Sequence, residues 1–164
     1  MTTILQLNTS LSGESGLSSR LASDFSSALA DATGAAVVVR DLARQPVPHL
    51  TAERFAAFTT PVSERTLEQQ QHVAESDVLI EELRRADVLV LGVPMYNFGL
   101  PSPLKAYFDH VARAGVSFRY TPEGPVGLLG AKRAYVFATR GGRYAGTEAD
   151  VQTAYLRQFL GFIG

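Results

Sequence analysis

The chain has no cysteine among its 164 residues, which excludes a disulfide, a thiolate metal site and a cysteine nucleophile. That usage agrees with a reducing compartment, and the cytoplasm is the simplest address. Long apolar runs are missing too. Nothing approaches the roughly 18 residues of a membrane span, and the start, MTTILQLNTS, lacks the basic and then apolar regions of a secretory signal. Charge of one sign is also lacking: 15 basic against 16 acidic residues leave a net charge of -1, so no global field attracts nucleic acid or an anionic membrane. The histidines His49, His72 and His110 lie far apart and no HExxH occurs, which argues against a metal site. No GxSxG elbow supports a serine hydrolase. The first apolar run ends in Leu7-Asn8-Thr9, without the paired acids of a phospho-accepting receiver domain. What remains is 46% apolar and 19% charged, the composition of one globular domain with a sizeable core.

Four short apolar runs recur, at 3–8, 35–42, 87–93 and 132–139, and each reads as a strand. Three are rich in Val, Ile and Leu without clean alternation, as expected of parallel strands covered by helices on both faces. Helical spacing lies between them. Leu21, Ala22, Phe25, Ala28, Leu29 and Ala32 mark a first helix, with Ser18 and Ser19 as candidate N-caps. Leu67, Val78, Leu79 and Leu83 place a second within 64–86; Leu104, Tyr107, Phe108 and Val111 place a third at 103–113. Val151, Tyr155, Leu156, Phe159 and Leu160 place a fourth at 149–161. Four alternations of strand and helix predict an α/β fold with a parallel sheet and right-handed crossovers. Two stretches, 43–63 and 115–130, are long for connections and read as surface excursions with some helix or as functional loops. The chain ends at LGFIG, where this architecture would enter a further strand, so the expectation is truncation before a fifth strand.

In such sheets ligands bind beyond the carboxyl ends of the strands, which singles out three loops. The first, NTSLSGESGLSS, is rich in hydroxyls and glycine and runs into a helix N-terminus, where N–H groups and the dipole favour a phosphate. It has no lysine and matches neither GxxxxGK[ST] nor GxGxxG, so a polar turn with an N-cap remains an open alternative. The second, PMYNF at 94–98, ends its strand at Pro94 and offers Met95, Tyr96 and Phe98 as apolar surface, with Asn97 as donor and acceptor. That combination suits a planar heteroaromatic ligand, although aromatics also cap cores near strand ends. In the third, TRGGRYAG, Gly141 and Gly142 let backbone approach a flat ring and donate N–H groups where negative charge develops.

The block PMYNFGLPSPLKAYFDHVARAGVSFRYTPEGPVGLLGAKRAYVFATRGG, followed by YLRQFLGFIG, resembles the FMN-dependent NADH:azo-compound and quinone oxidoreductases, the bacterial azoreductases. The resemblance covers essentially the whole chain. It implies a flavodoxin-like, three-layer, doubly wound parallel sheet forming one FMN-binding domain, non-covalent FMN, NADH as electron donor, and a homodimer with active sites at the subunit interface. By resemblance Ser10, Gly16, Leu17 and Ser18 match the phosphate loop. Met95, Tyr96, Asn97 and Phe98 match the segment along the isoalloxazine ring, as do Thr139, Arg140, Gly141 and Gly142. Tyr120 and Phe162 fall where the family places aromatics around the substrate pocket, Phe162 facing the neighbouring subunit's flavin. One departure is Gly16-Leu17-Ser18, where many relatives carry serine-glutamine-serine, so a phosphate here leans more on backbone N–H groups.

The reaction this implies is ping-pong: NADH gives a hydride to FMN and leaves, and a quinone or azo compound then takes two electrons. The cofactor carries the chemistry, so no catalytic acid or base is sought among the side chains. Two other classes stay open: a flavodoxin-type carrier of single electrons, which the near-zero net charge disfavours, and a flavin-binding regulatory protein.

Overall fold

The computed structural model describes residues 2–164. In chain order β1 (Thr3–Asn8) leads through α1 (Leu17–Thr33) to β2 (Ala36–Asp41), and α2 (Ala52–Thr59) and α3 (Leu67–Arg85) precede β3 (Val88–Pro94). Then come α4 (Ser102–Val111), β4 (Phe118–Thr121), β5 (Gly124–Gly127), β6 (Arg133–Thr139) and α5 (Val151–Ile163). The main sheet has the order β2-β1-β3-β6, parallel throughout. The path runs outward from β1 to β2, then crosses back to β3, so the strand order reverses between β1 and β3. Their carboxyl ends, where Asn8 lies opposite Gly92, therefore flank the crevice in which such sheets bind ligands.

β1 alternates between two cores. Leu5 and Leu7 join Leu79, Ile80, Leu83, Leu91, Tyr107, Phe108 and Leu156 under α3, α4 and α5, while Ile4 packs with Ala22 and Val90 under α1. Both central strands are buried almost end to end, which is why their sequences do not alternate. β2 departs from that expectation. It is an edge strand whose Val37, Val38 and Val39 are exposed. β6 is the other edge, and a groove of about 420 Å³ separates it from α5.

The helices follow the sequence spacing with local differences. α3 starts at a reciprocal cap, Gln69 N–H to Thr66 Oγ1 at 3.2 Å and Thr66 N–H to Gln69 Oε1 at 3.1 Å, which satisfies two of its orphan donors. Leu67 and Val78 face outward while Val73, Ser76 and Ile80 turn inward. Val151 is likewise exposed on α5. The 43–63 excursion contains α2, and 115–130 forms the β4–β5 hairpin, closed by Thr121 Oγ1 donating to the Gly124 carbonyl at 2.8 Å. Gly127 of that hairpin packs against the end of α5, where Leu129 N–H donates to the Ile163 carbonyl at 3.1 Å. No helix among the described residues is long and apolar enough to cross a membrane.

Candidate functional site

The β1–α1 loop folds on itself. Ser10 is buried, its Oγ accepts the Ser12 N–H at 3.2 Å, and its carbonyl accepts the Gly13 N–H at 2.9 Å. The cap of α1 is Gly16, not Ser18 or Ser19. The reason is steric: a Cβ on Gly16 would overlap the Ser10 side chain, so the tight entry into the helix is made by a residue without one. Gly16 N–H is itself used, donating to Gly13 O at 3.2 Å, and the first helical bond runs from Arg20 N–H to Gly16 O at 3.0 Å. That leaves the N–H groups of Leu17, Ser18 and Ser19 without intrahelical partners. The Ser18 and Ser19 hydroxyls are buried and have no partner among the described residues. Leu17 points outward. The loop is braced on β3, where Thr9 Oγ1 donates to the Gly92 carbonyl at 2.8 Å.

In the β3–α4 loop, Pro94 is the buried last residue of the strand, and Met95 N–H donates to Thr139 O of β6 at 2.8 Å. Tyr96 and Gly99 exchange two backbone hydrogen bonds, at 3.2 and 3.0 Å, around Asn97 (φ 50°) and Phe98 (φ 65°). Two central residues at positive φ between a reciprocal pair is the geometry of a tight left-handed hairpin turn. Asn tolerates that region; Phe does so at a cost. The turn presents Asn97 and Phe98 to solvent. Tyr96 Oη accepts the Leu11 N–H at 3.1 Å, which ties this loop to the first one. Leu11, Met95, Tyr96, Asn97, Leu100 and Pro101 line an open cleft of about 660 Å³.

The β6–α5 loop is held from below. Arg140 Nη2 lies 2.7 Å from Asp150 Oδ1 and 2.7 Å from Thr153 Oγ1. Asp150 also caps α5 by accepting the Thr153 N–H at 3.2 Å. Burial works to raise the Asp150 carboxyl, but the hydrogen bonds from Arg140 and Thr153 outweigh it and hold it below the usual range. Arg140 is thus neutralised within the chain. Thr139 is half-buried at the strand end, while Gly141 and Gly142 are exposed. A Cβ at Gly141 would meet nothing within 4 Å. This loop does not line the 660 Å³ cleft; it joins the second loop through Thr139 and through the edge-on contact of Tyr144 with Phe98, centroids 5.9 Å apart.

Three loops distant in sequence therefore meet at one rim. The flavodoxin-like fold model matches residues 2–164. Curated relatives from Burkholderia lata ("FMN-dependent NADH:quinone oxidoreductase 6") and Cellvibrio japonicus ("FMN-dependent NADH:quinone oxidoreductase") are each 53% identical over all of this chain and 83% of their own length. The solved azoreductase of Bacillus anthracis superposes with a TM-score of 0.89 at 30% identity, over all of this chain and 82% of its own. The chain belongs to the flavodoxin-like family of FMN-dependent NADH:quinone oxidoreductases and azoreductases.

Within this azoreductase-family chain, Tyr120 and Phe162 come together but away from the rim. The Phe118 ring lies 5.4 Å from that of Tyr120 and 4.2 Å from that of Phe162. α5 begins beside Arg140 and ends against the hairpin, so Phe162 sits about 17 Å further down the helix axis than Val151, at about 1.5 Å per residue. Tyr120 is 74% exposed and lines a separate pocket of about 500 Å³ with Phe55, Phe58, Asp109 and Arg113. Sequence reading missed Thr9, Gly92, Asp150, Gln152 and Thr153. Asp150 had a signal, since Asp before an apolar helical stripe is a favoured cap. Gln152 had none.

Proposed function

We propose that this chain is an FMN-dependent oxidoreductase that passes two electrons, as hydride, from NADH to quinones and azo compounds in a ping-pong cycle, as a cytoplasmic homodimer. The observation that carries this reading is the convergence of the three loops, locked by Leu11 to Tyr96 and Met95 to Thr139.

The rim's donors and surfaces fit FMN. The N–H groups of Leu17 and Ser18, with the Ser10 and Ser18 hydroxyls, would hold the phosphate at the positive end of α1. Gly16 shapes that turn and leaves its own N–H out of it. Pro94, Met95, Tyr96, Asn97 and Phe98 would form one wall for the ring, with Thr139, Arg140, Gly141 and Gly142 forming the other. When bound, FMN supplies hydride acceptance and donation. The residues' task is to hold nicotinamide and acceptor flat, and to set N–H donors of Gly141 and Gly142 and the Asn97 amide where negative charge grows. Arg140 acts by fixing the loop, because its charge is already met by Asp150.

The homodimer reading rests on the distance between the rim and the hairpin. Tyr120 and Phe162 belong to a substrate pocket only if a second copy brings its hairpin over this rim, and the exposed Phe55 and Tyr120, which line one pocket, suit such a contact.

Visible spectroscopy tests the reading. The purified protein, or apoprotein supplied with FMN, should show oxidised flavin bands that NADH bleaches and a quinone restores. Bands that NADH leaves unchanged would favour a regulatory flavoprotein, and bleaching without quinone turnover would favour an electron carrier. A protein that refuses FMN ends the proposal.

A further inference from the structure

We propose that Gln152 is the positioning residue of the ring wall: one buried amide holds the left-handed turn at Asn97 and Phe98 in register with the Gly141-Gly142 loop. The inference rests on the FMN reading for its functional consequence. Its structural half stands alone.

Gln152 is 1% exposed and lies in the first turn of α5. Its Nε2 donates to the Pro94 carbonyl at 3.0 Å and to the Gly99 carbonyl at 3.2 Å. Two carbonyl partners require the amino group, so the amide's orientation is determined. Pro94 and Gly99 bracket the turn, and Gly99 O already accepts the Tyr96 N–H. The amide thus spans both ends of the segment. Phe98 at positive φ is costly, and such backbone persists only where its surroundings over-determine it. Gln152 supplies that constraint from outside the loop.

The same helical turn also holds the other wall. Asp150 and Thr153 clasp Arg140, one residue before Gly141. The first turn of α5 therefore fixes the spacing between the two segments that would sandwich the ring. Gln152 touches no ligand in this scheme; it acts through Pro94 and Gly99.

Two variants test it. Gln152→Met keeps length and volume but removes the donors, and Gln152→Glu keeps the shape but turns a carboxylate toward two carbonyl oxygens. FMN affinity is read by flavin fluorescence quenching, and turn integrity by amide exchange of Tyr96 and Gly99 in the apoprotein. Gln152→Met should bind FMN about tenfold more weakly, the loss expected for one to two net hydrogen bonds. Its Tyr96 and Gly99 amides should exchange faster while those of β1 keep their protection. Gln152→Glu should regain affinity as pH falls, because the neutral acid can donate one hydrogen bond, whereas wild type shows no such recovery. Unchanged affinity and exchange in Gln152→Met overturn the proposal even if wild type binds FMN. If that variant does not fold, a pH-independent affinity in Gln152→Glu overturns it instead. Failure of wild type to bind FMN would sink the functional reading, and the exchange measurement would still decide the strut.

Discussion

Gly92→Ala probes how closely β3 and α1 approach beneath the proposed phosphate site. A Cβ at Gly92 would lie 2.7 Å from the Ser18 carbonyl oxygen, 2.9 Å from its carbon and 3.2 Å from the Ser19 nitrogen. All three are backbone atoms, so no side chain can swing aside. Ordinary contact starts near 3.4 Å, so the start of α1 must retreat by roughly 0.7 Å in a packed interior. Overpacking of this kind costs about 1–3 kcal/mol. At about 2–4 °C per kcal/mol for a chain of this size, the apoprotein should melt about 2–12 °C lower. FMN affinity should fall as well, since the N–H groups of Leu17 and Ser18 move with the helix. Gly141→Ala is the matched control, because a Cβ there meets open space. It should leave the apoprotein melting temperature unchanged and weaken FMN only, by blocking close approach of the ring. Gly92→Ala with wild-type melting and FMN binding would refute the reasoning, as would a Gly141→Ala chain that melts early.

The Asn97→Leu chain should lose FMN on gel filtration, whereas Glu68→Gln, on the exposed side of α3, should retain it; equal losses count against the ring wall. Tyr120→Ser should leave monomer stability within about 0.5 kcal/mol, as expected of an exposed site, yet lower NADH:quinone turnover if the hairpin covers a neighbour's rim. Wild-type behaviour on both counts removes Tyr120 from the pocket. Burial and the Arg54 charge lower the His110 pKa from 6.5, with Glu75, Asp109 and the Pro48 carbonyl opposing them. The unfolded chain then binds the proton more tightly than the folded one, so this contribution is intact above pH 6.5 and declines as pH falls below it. Denaturant midpoints from pH 7.5 to 5 should show that decline in wild type, and a smaller one in His110→Phe.

The layers were legible because the central strands and the α4 stripe bury what their patterns propose. Leu104, Tyr107, Phe108 and Val111 are all inside. Pattern reading failed where burial depends on neighbours. The valines of β2 look like those of a covered strand, but strand order makes β2 an edge, and nothing in a single strand's composition reveals its position in the sheet. Leu67 and Val78 share that fault, since both are apolar positions of α3 that the fold leaves exposed. The β4–β5 hairpin escaped for another reason: its four-residue strands carry two glycines and a proline, which weaken strand propensity, and it forms where β5 docks on the end of α5.

The site divides along the same line. Loops at strand ends could be named in advance because a doubly wound sheet fixes where ligand rims occur. What holds the rim in shape could not. Ser10 and Gly16 owe their places to a collision that only folded geometry reveals, and Gly92 is an ordinary strand residue until α1 is laid across it. Arg140 illustrates the consequence. On the sequence it is a loop cation beside two glycines, but folding sets Asp150 and Thr153 against it and turns it into a clasp. In the proposed FMN reading, stabilisation of negative charge at this rim would therefore fall to oriented N–H groups and the Asn97 amide. Such dipoles need no reorganisation as charge develops, and their effectiveness depends on how rigidly the turn at Asn97 is held. The amide of Gln152, outside every loop that sequence reasoning selects, is where that rigidity originates.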